Sequence, residues 1–338
     1  MNLSRRRRTL GAIAALGAIA LFSGLVLLVI QWADDSRPQA QGLAAYEHLE
    51  QFQALAEEHG DRATGTPGYE AAAQYVEQQL ESAGYQSSRQ YFTFEYRGEE
   101  IESFNIIAET DEGSDENVIM LGSHLDGVRN SPAINDNGSG SAALLQAAKE
   151  LSHQDDINNK VRFAWWGAEE FPDRPGSKHY VEDLAENGSS ELGAIAAYLN
   201  VDMVASPNPV IGVYDARDSD RRSGLEVPEG SRKIMAFFTD YFDARGQPWM
   251  ATEWNKSSDQ VAFVKADIAV GGLFTGSAAS KSDSQARLFG GTAGQPRDPN
   301  YHQPGDDLSN IDPEALSIMT DAITHAATTL AQDCSALK

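Results

Sequence analysis

From Val118 onwards, short apolar runs alternate with amphipathic stretches, and this alternation restricts the fold more than any other feature of the chain. Buried strands are predicted at 118–121, 161–166, 194–201, 210–214 and 268–274. Helices are predicted at 139–151, 177–186, 231–244, 259–264 and 312–330. Strands that alternate with helices form a largely parallel sheet with helices on both faces. We therefore predict an α/β fold.

The residues before Val118 follow another pattern. Amphipathic helices are predicted at 43–59 and 69–83, on either side of the turn-rich segment GDRATGTPG. Alternating apolar residues predict a pair of strands at 90–96 and 101–108. The glycine-rich segment 275–304 has no clear periodicity, and a loop of this length in a compact domain is usually functional. No linker interrupts residues 42–333, so we predict one folded domain there.

The N-terminus predicts a membrane anchor. Arg5 to Arg8 precede an uncharged apolar stretch at 9–33, which is long enough as a helix to cross a hydrocarbon core of about 30 Å. Basic residues stay in the cytoplasm, so residues 1–8 are expected inside, with a linker at 34–41 and the folded domain outside. We expect a single pass through the cell (inner) membrane and a periplasmic or extracellular domain. The alternative is a cleaved signal peptide, whose apolar region is shorter, about 7–15 residues; the protein would then be secreted.

The charge of the chain excludes one class of partner. The sequence has 26 Lys and Arg against 50 Asp and Glu, a formal net charge of -24. Without Arg5 to Arg8, 22 basic residues remain against 50 acidic ones, or -28. Such a surface repels nucleic acid, so no nucleic-acid partner is expected. Cys334 is the only cysteine, which excludes an intramolecular disulfide.

Polar residues of metal-ligand type end three of the apolar runs and lie in two later loops. They are His124, Asp136, Glu169, Glu170, Asp202 and His302. In open α/β sheets, ligands collect at the carboxyl ends of the strands, so these side chains are expected to meet. Each one alone has a simpler explanation as a helix cap, turn residue or solvated charge. Together they supply the two imidazoles, three carboxylates and additional carboxylate that two zinc ions and a general base require.

Seven motifs carry a family resemblance: GSHLDGV, INDNGSGSAALL, RFAWWGAEE, YLNVDMVASPNP, VGGLFTG, GGTAGQ and YH followed by DDLSNI. In this order, over about residues 42–330, they resemble the secreted bacterial double-zinc aminopeptidases. The resemblance implies a doubly wound, zinc-exopeptidase-like α/β fold with a mixed, mostly parallel sheet. It also implies two Zn ions per chain, a monomeric catalytic domain, and peptide substrates with a free N-terminus that is apolar, such as Leu.

The resemblance also implies the ligands of each ion. Carried over by position, His124, Asp136 and Asp202 would bind the first zinc. Asp136, Glu170 and His302 would bind the second, with Asp136 bridging the two ions.

Three further residues receive roles from the same resemblance. Asp126 would orient the imidazole of His124 through its carboxylate. Glu169 would act as the general base for attack by a metal-bound hydroxide on the scissile carbonyl. Tyr301 would help to polarise that carbonyl, although a packing tyrosine is a comparable reading of the sequence.

The chain departs from the family at several positions. The neighbourhood of Tyr301 lacks the cysteines that form a disulfide in some relatives, and Gln260 replaces a common histidine. Glu253 and Lys256 are candidates to receive a substrate terminus. Phe274 could wall an apolar specificity pocket. Acidic residues near His302 could bind calcium, but we claim no calcium site.

Two other functions stay open on the sequence. A carboxypeptidase or an aminoacylase-like amidase would use the same fold, and a binding ectodomain would keep the fold without catalysis.

Overall fold

One mixed sheet organises the part of the chain that the computed structural model describes, residues 41–217, 226–252 and 257–337. Its strands are β1 (Ser87–Tyr96), β2 (Glu99–Glu109), β3 (Ser114–His124), β4 (Asn159–Trp166), β5 (Ile195–Val201), β6 (Gly212–Tyr214), β7 (Met250–Thr252) and β8 (Val270–Phe274). They are arranged in the order β1-β2-β4-β3-β5-β8-β6-β7. The four central strands β4, β3, β5 and β8 pair in parallel, whereas β1, β2 and β6 pair antiparallel with their neighbours toward the centre. The predicted mixed, mostly parallel sheet is confirmed at its centre.

Helices separate these strands along the chain. They are α1 (41–59), α2 (Pro67–Ser82), α3 (Gly140–Leu151), α4 (Pro175–Asn187), α5 (Ser189–Ala194), α6 (Ser231–Ala244), α7 (Gln260–Lys265), α8 (Asp283–Phe289) and α9 (Pro313–Gln332). Two short 3-10 helices follow the last loops, Leu308–Asn310 and Ser335–Leu337.

Local sequence explains where the long helices begin. Thr66 caps α2 by accepting the backbone N–H of Tyr69, and a proline follows it in the first turn. Asp312 caps α9 in the same way, accepting the N–H groups of Glu314 and Ala315 ahead of a long apolar stripe. Both helices can therefore start at a fixed residue and bury one face.

The core lies on both sides of the central strands. Every residue of β3 from Val118 to His124 is buried, although alternate side chains of a strand point to opposite faces. The same holds for β4 from Val161 to Trp166. Both faces of these strands are therefore covered, as the apolar runs predict. Tyr198 of β5 stacks on Phe263 of α7 with ring centroids 3.8 Å apart, which fixes that helix on the sheet.

Two short helices, α5 and α8, are absent from the sequence prediction. The segment 275–304 contains α8, which begins with a capping box between Ser282 and Gln285. Its residues include no buried ones, so it has no apolar face that periodicity could detect. The short helix α5 likewise buries none of its residues.

The predicted anchor at 9–33 and its flanking segment 1–8 lie outside the described residues, as do Glu253 and Lys256. Between residues 41 and 337, no described helix combines the length and the apolar character needed to cross a bilayer.

Candidate metal centre

The carboxyl ends of three neighbouring parallel strands bring the predicted residues to one edge of the sheet. β3 ends at His124, which is in register with Trp166, the last residue of β4. Glu169 and Glu170 follow β4 after a short turn, and Asp202 directly follows β5. Because the three strands are parallel, these side chains start from the same edge.

Carboxylates surround the buried imidazole of His124, which is 1% exposed. Its Nε2 atom lies 3.3 Å from Oδ1 of Asp136 and 3.5 Å from Oδ1 of Asp202. Oε2 of Glu169 lies 4.0 Å from the same nitrogen. This half of the site therefore contains one imidazole and three carboxylates.

A second imidazole approaches Asp136 from the later loop. Nε2 of His302 lies 3.0 Å from Oδ2 of Asp136 and 3.0 Å from Oε2 of Glu170. The two oxygens of Asp136 thus face different histidines, Oδ1 facing His124 and Oδ2 facing His302. Asp136 occupies the position of a carboxylate shared by two ligand sets.

The donor set fits cations. His124, Asp136 and Glu170 offer ligand atoms that all lie within 4.8 Å of one another. Oε1 of Glu170 and Oδ1 of Asp202 are buried and accept no hydrogen bond from any described residue. A buried oxygen without a donor is costly unless a cation or a water satisfies it. Imidazole nitrogens with carboxylate oxygens are ligands that suit Zn²⁺.

The electrostatics of this cluster reflect an excess of buried negative charge. Burial raises the pKa of Glu169 well above its usual range, and the charges of Asp259 and Asp202 raise it further against the effect of His124. Burial and Asp136 raise the pKa of Glu170 to about 7. Burial and neighbouring negative charge therefore favour the protonated form of Glu169 and bring the pKa of Glu170 close to neutral pH.

The pKa values of the two histidines are also raised, because carboxylates surround them. Burial alone would lower the pKa of His302, but its hydrogen bonds with Asp136 and Glu170 raise that pKa to about 10. For His124, burial is likewise outweighed by Glu169, Asp136 and Asp202, and its pKa lies well above the usual value. Both imidazoles thus serve as the positive partners of the carboxylates, a role that bound cations can replace.

The carboxylate of Asp126 is hydrogen-bonded to the backbone of Glu169, the candidate general base. This carboxylate accepts the N–H of Glu169 at 3.1 Å and the hydroxyl of Thr64 at 3.1 Å. Nδ1 of His124 donates to the backbone oxygen of Asp126 at 2.9 Å, whereas the carboxylate oxygen lies 3.8 Å away. The backbone of Asp126 therefore makes the short contact to the imidazole, and its side chain positions the Glu169 turn.

Arg62 and Thr64 belong to the site surroundings, although neither was a candidate from sequence. Arg62 is fully buried and donates to three backbone oxygens, those of Leu125, Pro132 and Ala133. These carbonyls belong to the segment that connects His124 to Asp136. The turn-rich segment GDRATGTPG, which contains both residues and lies between α1 and α2 in the chain, therefore binds the backbone next to the candidate ligands. Its Gly and Pro content indicated only a turn.

Left-handed backbone occurs next to the candidate ligands. Ala168 precedes Glu169 with φ 61°, Met203 follows Asp202 with φ 54°, and His302 itself has φ 57°. Residues other than glycine rarely adopt this conformation, which costs about 1–3 kcal/mol each and clusters at functional sites.

Tyr301 and Asp259 adjoin the candidate ligands. The ring of Tyr301 stacks on the imidazole of His302 with centroids 3.9 Å apart. Phe274 ends β8 and is half-buried. Asp259 precedes α7, is 1% exposed, and adds the negative charge noted above at Glu169.

Fold and site together define an α/β protein with a buried histidine–carboxylate cluster at the carboxyl edge of its sheet. Residues 105–327 match peptidase family M28. The chain belongs to this family, which confirms the resemblance to zinc aminopeptidases drawn from the motifs.

Individual relatives agree with this assignment. The chain is 47% identical over 232 residues to the probable lipoprotein aminopeptidase LpqL of Mycobacterium tuberculosis, covering 68% of this chain and 46% of that protein. It is 47% identical over 229 residues to an aminopeptidase of Pseudomonas aeruginosa, covering 68% of this chain and 41% of that protein. The chain thus spans a little under half the length of these curated relatives.

Solved structures share the fold. The zinc aminopeptidase BSAP from Bacillus subtilis superposes with a TM-score of 0.68 at 17% identity, over 87% of this chain and 97% of that one. LapA of Legionella pneumophila gives a TM-score of 0.62 at 16% identity, over 88% of this chain and 74% of that one.

Proposed function

We propose that this chain is a zinc-dependent aminopeptidase that works outside the cytoplasm and removes apolar N-terminal residues from peptides. The contact of Asp136 with both His124 and His302 is the observation that carries the proposal. A carboxylate between two imidazoles, with other carboxylates beside it, suits a pair of metal ions more than a single one.

Five residues would hold the two zinc ions. His124, Asp136 and Asp202 form one ligand set, and Asp136, Glu170 and His302 form the other. Zinc, when bound, supplies a Lewis acid that polarises the scissile carbonyl and lowers the pKa of a water. The oxygens of Glu170 and Asp202 that accept no hydrogen bond support this assignment.

Glu169 would transfer the proton of the attacking water to the leaving amine. It is a buried carboxylate of the cluster that neither ligand set uses, and burial raises its pKa toward the range in which a base can also act as an acid. Its carboxylate would take the proton of the attacking water and return that proton to the leaving amine. Tyr301 would donate a hydrogen bond from its phenol to the carbonyl oxygen, and burial keeps that phenol protonated by raising its pKa.

The charge of the site favours a substrate with a free amino group. The carboxylate charges of Asp202 and the buried Asp259, which act on Glu169, would attract an ammonium group. Phe274 at the end of β8 provides an apolar surface for the first side chain of the substrate. The names of the relatives, aminopeptidases of bacteria and fungi, support the same substrate class.

The location of the enzyme is part of the proposal. Residues 9–33 would anchor the chain, with 42–333 forming a single catalytic domain on the outer side. A relative named as a lipoprotein aminopeptidase supports an extracytoplasmic site. Fractionation of cells would place the protein in the membrane if the anchor is retained, and in the medium or periplasm if it is cleaved.

Two measurements test the proposed activity. The purified chain should contain two zinc ions, and it should hydrolyse leucine anilide while leaving N-acetyl-leucine anilide intact. Hydrolysis of the acetylated compound, or of a C-terminal residue only, would indicate the amidase or carboxypeptidase instead. A chain with zinc that hydrolyses none of these substrates would indicate a binding ectodomain.

A further inference from the structure

Asp306 connects the loop that carries His302 to the loop that carries Asp136. Its carboxylate accepts the backbone N–H of Asn135 at 2.8 Å through Oδ1 and the backbone N–H of Asp136 at 3.0 Å through Oδ2. Its own backbone oxygen accepts the N–H of Ile134 at 3.0 Å. Three consecutive amides of one loop are thus bound by one residue of the other.

Asp306 is part of a buried hydrogen-bond network that also contains Asn310, Asp298 and Asn135. Asn310 donates through Nδ2 to Oδ1 of Asp306 at 3.1 Å and to Oδ1 of Asp298 at 2.9 Å. Asp298 in turn accepts Nδ2 of Asn135 at 2.6 Å. Asp298, Asp306 and Asn310 are each at most 2% exposed, so water competes little with these bonds.

The two-point contact restrains orientation as well as distance. A carboxylate that accepts two neighbouring N–H groups fixes the plane of the peptide between them, and that peptide carries Asp136. No disulfide ties the His302 loop to the rest of the protein, because the only cysteine is Cys334. Noncovalent contacts must therefore set the distance between His302 and Asp136.

We propose that Asp306 is a positioning residue that holds Asp136 and His302 at the separation required for metal binding, with Asp298 as its support. The inference rests on the metal centre proposed above. It assigns Asp306 no contact with substrate or metal. Partners that orient metal ligands typically change metal affinity by about 10–100-fold when they are removed.

Asp306→Asn in the full chain tests the inference, because the amide replaces one acceptor oxygen with an N–H donor facing a backbone N–H. Asp307→Asn is the matched control, since the side chain of Asp307 accepts the backbone N–H and the hydroxyl of Ser309 in its own turn. Zinc affinity is measured by competition with a chelating dye. We expect Asp306→Asn to bind zinc about 10–100-fold more weakly, with Asp307→Asn within about twofold of wild type. Wild-type affinity in Asp306→Asn would overturn the proposal.

A second readout separates positioning from a purely structural role. If Asp306 only stabilised the fold, its replacement would lower the unfolding temperature of the zinc-free and zinc-loaded protein equally. We expect the increase in unfolding temperature on adding zinc to shrink, and the visible absorption of the Co²⁺-substituted protein to change. Equal losses with and without zinc, together with an unchanged Co²⁺ spectrum, would contradict positioning.

If Asp306→Asn does not fold, Asp298→Asn tests whether Asp306 positions the metal ligands. It leaves the contacts of Asp306 with the Asp136 loop in place and weakens their support, so a smaller loss of zinc affinity is expected. Wild-type affinity in this variant would overturn the proposal. A wild-type chain that binds no zinc would instead overturn the proposed function, which keeps the two failures apart.

Discussion

Nε2 of His302 lies 3.0 Å from Oδ2 of Asp136, although the two residues belong to loops far apart in the chain. One loop follows the central strand β3, and the other lies between β8 and the C-terminal helix α9. The fold brings these loops together at the carboxyl edge of the sheet. A cation held there would tie these two loops together, so metal binding and the stability of this edge should be linked.

Replacement of Glu169 by Gln should abolish hydrolysis without removing metal. The amide has nearly the same shape but cannot accept the proton of the attacking water, and loss of a general base costs about 10²–10⁴-fold in rate. We expect kcat on leucine anilide to fall by about this factor, with unchanged zinc content by elemental analysis. Glu186→Gln, at an exposed position of α4, is the control and should keep full activity. Activity retained in Glu169→Gln would exclude the proposed mechanism.

His302 should be required for one of two metal ions. Its imidazole contacts the carboxylates of Asp136 and Glu170, with which it forms the second proposed ligand set, so His302→Ala should reduce the zinc content from two ions to one. His153→Ala removes an exposed histidine outside the site and should keep both ions. Asp136→Ala, which removes the shared carboxylate, should lose both. An unchanged zinc content in His302→Ala would contradict the ligand assignment.

The central fold could be predicted because its strands are buried on both faces. The run that contains Val118 and Leu121 is apolar throughout, and Arg162 is the one charged residue in the buried run 161–166 that ends at Trp166. Such runs, alternating with helices, leave few arrangements besides a parallel sheet. The polar residue that ends each run then has a defined position at the sheet edge. The meeting of His124 and Asp202 follows from this geometry.

The supports of the site could not be predicted in the same way. Arg62 and Asp306 act on backbone atoms of distant loops, and no local pattern indicates which N–H or C=O group a buried charge will reach. The left-handed backbone at Ala168 is likewise set by tertiary contacts, because alanine has no preference for it. The start of α8, in contrast, could have been predicted from the sequence, because Ser282 and Gln285 have the spacing of a capping box.

Arg62 should be essential for stability. Replacement by Met keeps much of the side-chain volume but leaves the backbone oxygens of Leu125 and Ala133 buried without donors, at 2.5 and 2.6 Å from the lost nitrogens. Each unsatisfied buried group costs about 1–3 kcal/mol, so Arg62→Met should lower the free energy of unfolding by about 3 kcal/mol or more. Urea unfolding measures this loss. Arg287→Met, at an exposed position of α8, should change stability by less than about 0.5 kcal/mol. Equal stability of the two variants would contradict the role of Arg62.

His48 should make the protein less stable in mild acid. Burial, and secondarily the charge of Lys149, lowers the pKa of His48 from 6.5 to about 4, and its Nδ1 lies 2.6 Å from the hydroxyl of Tyr75. In the unfolded chain His48 is therefore protonated near pH 6.5, whereas in the folded chain it is protonated only near pH 4. The stability from neutral His48 is complete above pH 6.5 and is lost as the pH falls toward 4. The difference corresponds to about 3 kcal/mol.

Because other groups also titrate in this range, the pH dependence of His48→Gln must be compared with that of the wild type. Glutamine stays neutral, so the free energy of unfolding of the variant should fall by about 3 kcal/mol less between pH 7 and pH 4. His59→Gln, at the exposed end of α1, is the control and should follow the wild-type curve more closely. Parallel curves for His48→Gln and wild type would mean that the folded protein protonates His48 as readily as the unfolded chain does. The buried position of this side chain, 4% exposed, argues against that outcome.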